Sequence, residues 1–165
     1  IQAETMSLVG IVEKQIEWGL PFVIAGQGIA FLIFMIAATA EMMRIPFDMP
    51  IGESELVMGF MTEYSGLRFL IFYIAEYINM FVMCAIASTL FLGGYHIPLL
   101  PVEWVNFYGP VSVLTKTLLL GFILVLVRWS FPRFREDQLQ NIAWKILIPL
   151  SLLNILITSV MKVVF

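Results

Sequence analysis

The chain has 165 residues, of which 61% are hydrophobic and 13% are charged. A soluble domain carries about twice that share of charged residues, so the composition favours a membrane protein that is surrounded by lipid. The formal net charge of −3 is small, and no basic run is interleaved with aromatic residues, which argues against nucleic-acid binding. The single cysteine, Cys84, excludes an internal disulfide and any cysteine-built metal site.

Four apolar runs are long enough to cross a bilayer as helices. A span needs about 20 mostly apolar residues, because each residue rises about 1.5 Å and the backbone must form its hydrogen bonds internally. The predicted spans cover residues 20–43, 69–92, 111–127 and 142–164. We therefore predict an all-α, polytopic membrane protein with four transmembrane helices and a long structured inner loop.

Basic residues predict the orientation of the spans. They concentrate around the connections 44–68 and 128–141, whereas only Lys14 and Lys162 lie on the other side. Because basic residues favour the inner side of a membrane, both connections are expected to face the cytoplasm or the mitochondrial matrix. The flanking residues are Arg44, Arg68, Arg128, Arg133, Arg135 and Lys145.

Each of the first three predicted spans carries one charged residue, and a charge inside a membrane needs a functional or structural reason. Counting from the nearest arginine, Glu41 lies about 5 Å, Glu76 about 12 Å and Lys116 about 18 Å below the inner surface. If the helices face one another, these groups form a ladder that could carry protons. The alternative is a static ion pair between Glu76 and Lys116 that holds two helices together.

The first inner connection combines charges with helix-breaking residues. Pro46 and Pro50 prevent the first span from continuing, and the apolar spacing after Glu53 predicts a short amphipathic helix. The connection is either a solvated loop or a ligand-lining and docking surface at the membrane edge. Its charged residues are Arg44, Asp48, Glu53, Glu55, Glu63 and Arg68.

The connection 128–141 holds the run RWSFPRFREDQL, in which Arg133 and Arg135 precede two acidic residues. It is either an anchor at the lipid headgroups or an interface that pairs with a soluble subunit through arginine contacts. His96 lies alone in the outer connection, which makes a metal-ligand role improbable. No phosphate-binding loop or nucleophile motif is present, so no binding of NADH, flavin or an iron–sulfur cluster is expected from this chain.

The motifs resemble a known family. The stretch AEMMRIPFDMPIGESELVMGFMTEYSG, residues 40–66, closely resembles a signature of the quinone-site membrane subunit of respiratory complex I. RWSFPRFREDQL with the later Trp144 and Lys145 is similar to a second signature of that family. AEYINM, LFLGG and LTK also fall in the expected order, and SLVGIVEKQ near the start resembles the outer loop that precedes the family's fifth helix. The resemblance covers essentially the whole chain and implies the C-terminal half of a full-length member.

The resemblance implies a role in proton-pumping NADH:quinone oxidoreduction. The inner loop would form part of the quinone chamber, against soluble subunits that carry NADH, FMN and iron–sulfur clusters, and antiporter-like membrane subunits would lie alongside. Ile51 departs from the family pattern, because only the second carboxylate of the acidic loop is kept. The expected proton-pathway residues are Glu41, Glu53, Glu55, Glu63, Glu76 and Lys116. The expected chamber and docking residues are Arg44, Phe47, Asp48, Arg68, Arg133 and Arg135.

Two other functions stay open. One is the homologous subunit of a membrane-bound hydrogenase or ferredoxin-linked complex, which need not reduce quinone. The other is a proton or ion transporter without a redox partner, which would have to work from one polypeptide. Co-purifying soluble iron–sulfur subunits would distinguish the transporter from the redox complexes. The expected location is a bacterial plasma membrane or a mitochondrial inner membrane.

Overall fold

The computed structural model describes residues 2–48, 59–97 and 104–164, and the regular structure within those ranges is helical. The predicted all-α fold is therefore confirmed. The helices are α1 (Leu8–Trp18), α2 (Gly28–Glu41), α3 (Leu67–Phe91), α4 (Val105–Ser130), α5 (Glu136–Ile142) and α6 (Ile148–Val164). The short amphipathic helix expected after Glu53 falls mainly outside the described residues, which resume with a 3-10 turn at Gly59–Glu63.

Within the described residues, four helical segments are long and apolar enough to cross a membrane: Val23–Glu41, Leu67–Phe91, Phe107–Ser130 and Glu136–Val163. The third helix begins before the predicted span, because Pro110 lies in its second turn and removes only one backbone hydrogen bond there. The fourth also begins early. Its first turn carries Glu136 and Asp137, which favour a helix N-terminus, and Gln138 Oε1 accepts the Arg135 backbone N–H at 3.2 Å.

Helix α1 lies in a segment that was expected to be an outer loop. Leu8, Val12 and Ile16 recur at helical spacing, and Val12 is only 1% exposed. The helix ends at Gly19, whose φ of 71° closes it through an N–H bond to the Ile16 carbonyl. The sequence did not reveal this helix, because acidic and basic residues interrupt the apolar spacing.

The apolar core lies between α2, α3 and α4. Small side chains, among them Ala38, Cys84 and Ala87, let the three helices approach closely. The buried core residues are Ala38 and Met42 at the end of α2, Met80, Cys84 and Ala87 of α3, and Leu120 and Leu124 of α4. The first part of α3 and the last part of α4 lie near the end of α2, where Thr39, Tyr77 and Arg128 line one cavity. We call this end of the helices the inner end and the opposite end the outer end, after the orientation that the basic residues predict.

A polar contact attaches the fourth span to the first. A π-helical turn, Val23–Gln27, precedes α2 and contains Gly26 at a φ of 96°, which residues with side chains rarely adopt. Gln27 then donates to Thr158 Oγ1 at 2.9 Å and accepts from Asn154 Nδ2 at 3.1 Å. Such side-chain hydrogen bonds hold apolar helices together where water is scarce.

Candidate functional site at the inner ends of the helices

An ion pair joins the end of the first span to the second. Arg44 follows α2, and its Nε lies 2.9 Å from Oε1 of Glu76 in α3. The turn after α2 directs Arg44 towards α3, because Met43 adopts a φ of 51° and the Arg44 N–H bonds back to the Thr39 carbonyl. The two side chains are 10% and 21% exposed, so little water screens the pair.

The guanidinium of Arg44 makes a second contact, with an aromatic ring. Its Cζ lies 4.2 Å from the ring centroid of Tyr77, within the range of a cation–π interaction. Its Nη2 is buried and has no hydrogen-bond acceptor among the residues that the structure describes. A buried charged donor without an acceptor is unfavourable, so this atom marks a place where a ligand oxygen or a water would be stabilised.

Two cavities adjoin Arg44. The larger, of about 160 Å³, lies between α2, α3 and α4 and is lined by Arg44, Tyr77, Arg128 and Trp129 among others. The smaller, of about 30 Å³, is lined by Arg44, Asp48, Glu76 and Arg128 among others. Two guanidinium groups therefore border both cavities. Arginine donors suit the carbonyl or anionic oxygens of a polar headgroup.

The two inner connections contact each other directly. The Phe134 N–H donates to the Pro46 carbonyl at 3.0 Å, and the rings of Phe47 and Phe134 stack with centroids 5.7 Å apart. Phe47 is only 6% exposed. This contact joins the loop after α2 to the loop after α4. Both predicted signatures consequently meet on one side of the helices.

The other residues predicted for the inner side differ in how far their side chains are buried. Asp48 is buried, 9% exposed, and lines the smaller cavity. Glu41, Glu63 and Arg68 are exposed. Glu53 and Glu55, like Ile51, lie outside the described residues.

The two arginines of the second inner connection differ in exposure. Arg133 is partly buried, whereas Arg135 is exposed. Arg135 lies 3.2 Å from Asp137, but this pair is 81% and 73% exposed and contributes little stability.

Lys116 is placed at the opposite, outer end. Its Nζ donates to the carbonyls of Leu92, Gly94 and His96 at 2.8, 2.8 and 2.7 Å. Leu92 follows Glu76 by 16 residues, which is about 24 Å along α3. The ammonium therefore does not pair with Glu76, and the ladder expected from depth alone is divided between the two ends of α3 and α4. The two arginines used to count depth are not level: Arg128 and Tyr77 line the same cavity, so the backbone of Lys116, twelve residues before Arg128, lies about 18 Å from the level of Glu76. The flexible lysine stem then carries the charge further outward.

Buried polar side chains surround that outer end. Gln15, only 1% exposed, donates to the Thr89 and Leu90 carbonyls, and its Oε1 accepts the Phe22 N–H. The Ser112 hydroxyl lies 3.3, 2.9 and 2.9 Å from the Gly94, Tyr95 and Gly109 carbonyls and donates its single proton to one of them. Burial, together with the Lys116 ammonium, holds the pKa of His96 below its usual value of 6.5. His96 is therefore neutral at ordinary pH and packs beside the Lys116 ammonium.

Three site residues were not predicted for their present contacts: Tyr77, Arg128 and Gln15. Tyr77 directly follows Glu76 in AEYINM, and Arg128 marks the inner end of the third span. Both residues could therefore have been named as site candidates from the sequence. Depth along a helix was predictable, but the direction in which a side chain points around the helix was not. Gln15 gave no signal, because its helix lies in a segment that the sequence predicts as a loop.

The chain is similar to proteins of one family. The family model described as NADH dehydrogenase matches residues 1–159. An H-type NADH-quinone oxidoreductase subunit of Syntrophobacter fumaroxidans is 48% identical over 160 residues, 96% of this chain and 45% of that protein. The corresponding H-type NADH-quinone oxidoreductase subunit of Geobacillus kaustophilus is 49% identical over 164 residues, 99% of this chain and 47% of that protein. The chain thus spans about half the length of the curated relatives it matches.

Proposed function

The chain belongs to the NADH dehydrogenase family, and on that premise we propose that it forms part of the membrane subunit of a proton-translocating NADH:quinone oxidoreductase. It would border the quinone-reduction chamber and begin the acidic pathway that couples quinone reduction to proton movement. The observation that carries this proposal is the partly buried Arg44–Glu76 pair, whose atoms lie 2.9 Å apart beside cavities bordered by two arginines.

The chamber role rests on the two inner connections. Phe47 and Phe134 fasten them together, and Arg44 presents a buried Nη2 without an acceptor in the described part of the chain. A quinone ring is flat and carries carbonyl oxygens, so an aromatic-walled cavity with guanidinium donors is suited to it. Asp48 lines the smaller cavity, and Arg68, Arg133 and Arg135 would contact the soluble subunits.

The coupling role rests on charge. Electrons would arrive from a partner subunit, and quinone reduction would place negative charge and take up protons beside Arg44. Attraction of the guanidinium towards the new charge would weaken its pair with Glu76, which then takes up a proton.

The remaining acidic residues would extend this pathway. Glu53, Glu55 and Glu63 belong to the inner loop beside the proposed quinone site, and Glu41 lies one turn before Arg44 at the end of α2. Lys116, at the far end of α3 and α4, would act at the outer limit of the pathway and not within its inner, acidic part.

The redox centres would lie on partners. NADH, FMN and the iron–sulfur clusters belong in this proposal to soluble subunits docked against the inner connections, and antiporter-like subunits would receive the charge change. The N-terminal half of the same subunit would complete the bundle. The location would be a bacterial plasma membrane or a mitochondrial inner membrane.

Photolabelling of the intact complex with a photoreactive quinone tests the proposal. We expect label on peptides covering residues 44–68 and 128–135, because these connections meet at the Phe47–Phe134 contact. An excess of unreactive quinone should abolish that label, and soluble iron–sulfur subunits should co-purify. Label elsewhere, with both connections unmodified, would contradict the chamber role. A nickel–iron hydrogenase subunit in the complex would assign the chain to the enzyme branch that does not use quinone.

A further inference from the structure

The first segment of the chain, residues 2–22 with helix α1, crosses the outer ends of two other helices. Glu4 pairs with Lys162 in the last turn of α6, with Oε1 and Nζ 2.8 Å apart. Gln15 donates to the carbonyls of Thr89 and Leu90 in the last turn of α3, at 3.1 and 3.2 Å. The segment therefore runs across these helix ends and not along the helices themselves.

Helix α1 lies level with the start of the first span. Gln15 Oε1 accepts the Phe22 N–H at 3.2 Å, and Phe22 directly precedes Val23, where the first membrane-crossing segment begins. The Trp18 ring meets the Phe22 ring edge-on, with centroids 6.4 Å apart. Tryptophan favours the boundary between lipid headgroups and acyl chains. Both contacts place α1 at the outer boundary of the membrane.

The apolar surface of α1 is wider than its line of contact with the protein. Val12 and Gln15, each 1% exposed, form the stripe that faces the helix ends. At about 3.6 residues per turn, Val9 and Trp18 fall on opposite flanks of this stripe. Both are 57% exposed, and Leu8, at the start of the stripe, is 50% exposed. Apolar side chains therefore remain uncovered on both sides of the contact.

The far face of α1 is charged. Glu13 and Glu17 are exposed there, and Lys14 lies 2.7 Å from Glu17. A helix with apolar residues on one side and charged residues on the other is typical of helices that lie in the plane of a membrane surface. The excess of carboxylates also suits the outer side, since basic residues concentrate on the inner side.

We propose that α1 is an interfacial helix and that Leu8, Val9 and Trp18 are embedded in the outer leaflet, where headgroups meet acyl chains. The Trp18–Phe22 contact makes its apolar flank continuous with the surface of the first span. A protein packed on this side would cover the charged face as well, whereas a bilayer contacts the flanks alone. The lipid surface would then fix the depth of the outer ends of α3 and α6. This inference does not rest on quinone chemistry.

The test places one photoreactive amino acid at different faces of the same helix. In the intact complex in phosphatidylcholine nanodiscs, p-benzoylphenylalanine replaces Val9, Trp18 or, as the matched control, Glu13. After illumination, mass spectrometry measures phospholipid adducts in each variant. We expect about tenfold more adduct at positions 9 and 18 than at position 13, because burial of an apolar side chain of this size favours lipid by about that factor.

A second measurement uses the wild-type complex. A water-soluble carbodiimide with an added amine should modify Glu13, whose carboxylate faces water in the proposed arrangement. Cross-links from positions 9 and 18 to another polypeptide, with Glu13 protected from the carbodiimide, would assign this surface to a protein partner and overturn the proposal. Equal phospholipid adducts at all three positions would also overturn it, because an interfacial helix keeps one face in water. Each result is independent of the quinone photolabelling.

Discussion

Replacement of Glu76 by glutamine is expected to abolish proton translocation while the complex still assembles. Glutamine has nearly the same size but cannot take up a proton, so the step that links Arg44 to the pathway is lost. We expect the translocation rate in liposomes to fall at least about tenfold, which corresponds to about 1.4 kcal/mol of lost stabilisation of the coupled step. The measurement is acidification of energised liposomes, normalised to the amount of assembled complex.

Glu17→Gln is the matched control for this experiment. This substitution makes the same chemical change at an exposed position of α1, where Glu17 pairs with Lys14. Translocation in this variant should equal that of wild type. Normal proton-coupled turnover in Glu76→Gln would contradict the pathway role of Glu76 and favour a static pair that serves packing.

Replacement of Arg44 by leucine is expected to lower the stability of the chain as well as the activity. The change leaves Glu76 partly buried without its counter-charge and removes the contact with Tyr77. Loss of one partner of a buried pair costs about 3–5 kcal/mol, and the lower value applies here because Glu76 keeps a fifth of its side chain exposed. The measurement is the thermal unfolding midpoint of the purified complex, followed by signals from this subunit.

A double replacement separates stability from function. Arg44→Leu with Glu76→Leu removes both charges, so most of the lost stability should return, whereas translocation should stay absent. Lys145→Leu is the control for stability, because Lys145 is exposed in the turn before α6 and its replacement should change stability by no more than about 0.5 kcal/mol. Equal destabilisation by Arg44→Leu and Lys145→Leu would show that the ion pair contributes no specific stability.

Much of the fold was predictable because apolar length alone decides which segments can cross a membrane. All four predicted spans correspond to helices. The start of α4 was not predictable, since Pro110 could either end a helix or lie in its second turn, and only packing decides between them. Helix α1 was missed because its apolar stripe is narrow and charged residues interrupt it.

The sequence predicted which residues belong to the site, but it did not predict which of them contact one another. Glu76 and Arg44 were both expected at the inner side, because their distances from the span ends are set by the rise of a helix. Their contact was not, since the partner of a side chain depends on how helices rotate against one another. Lys116 illustrates the same limit: its depth was counted from Arg128 and that of Glu76 from Arg68, but the shift of α3 and α4 along each other, which brings Arg128 beside Tyr77, depends on packing. The long lysine stem moves the charge further, to the outer carbonyls.

We expect Glu76 to change its protonation when quinone is reduced, and infrared difference spectroscopy of the intact complex tests this most directly. Spectra would be recorded between the oxidised and reduced states, with and without isotopic labelling of glutamate carboxyl groups. We expect a protonated-carboxyl band that arises on quinone reduction, shifts with the label and is missing from Glu76→Gln but present in Glu17→Gln. Identical carboxyl bands in wild type and Glu76→Gln would contradict the claim.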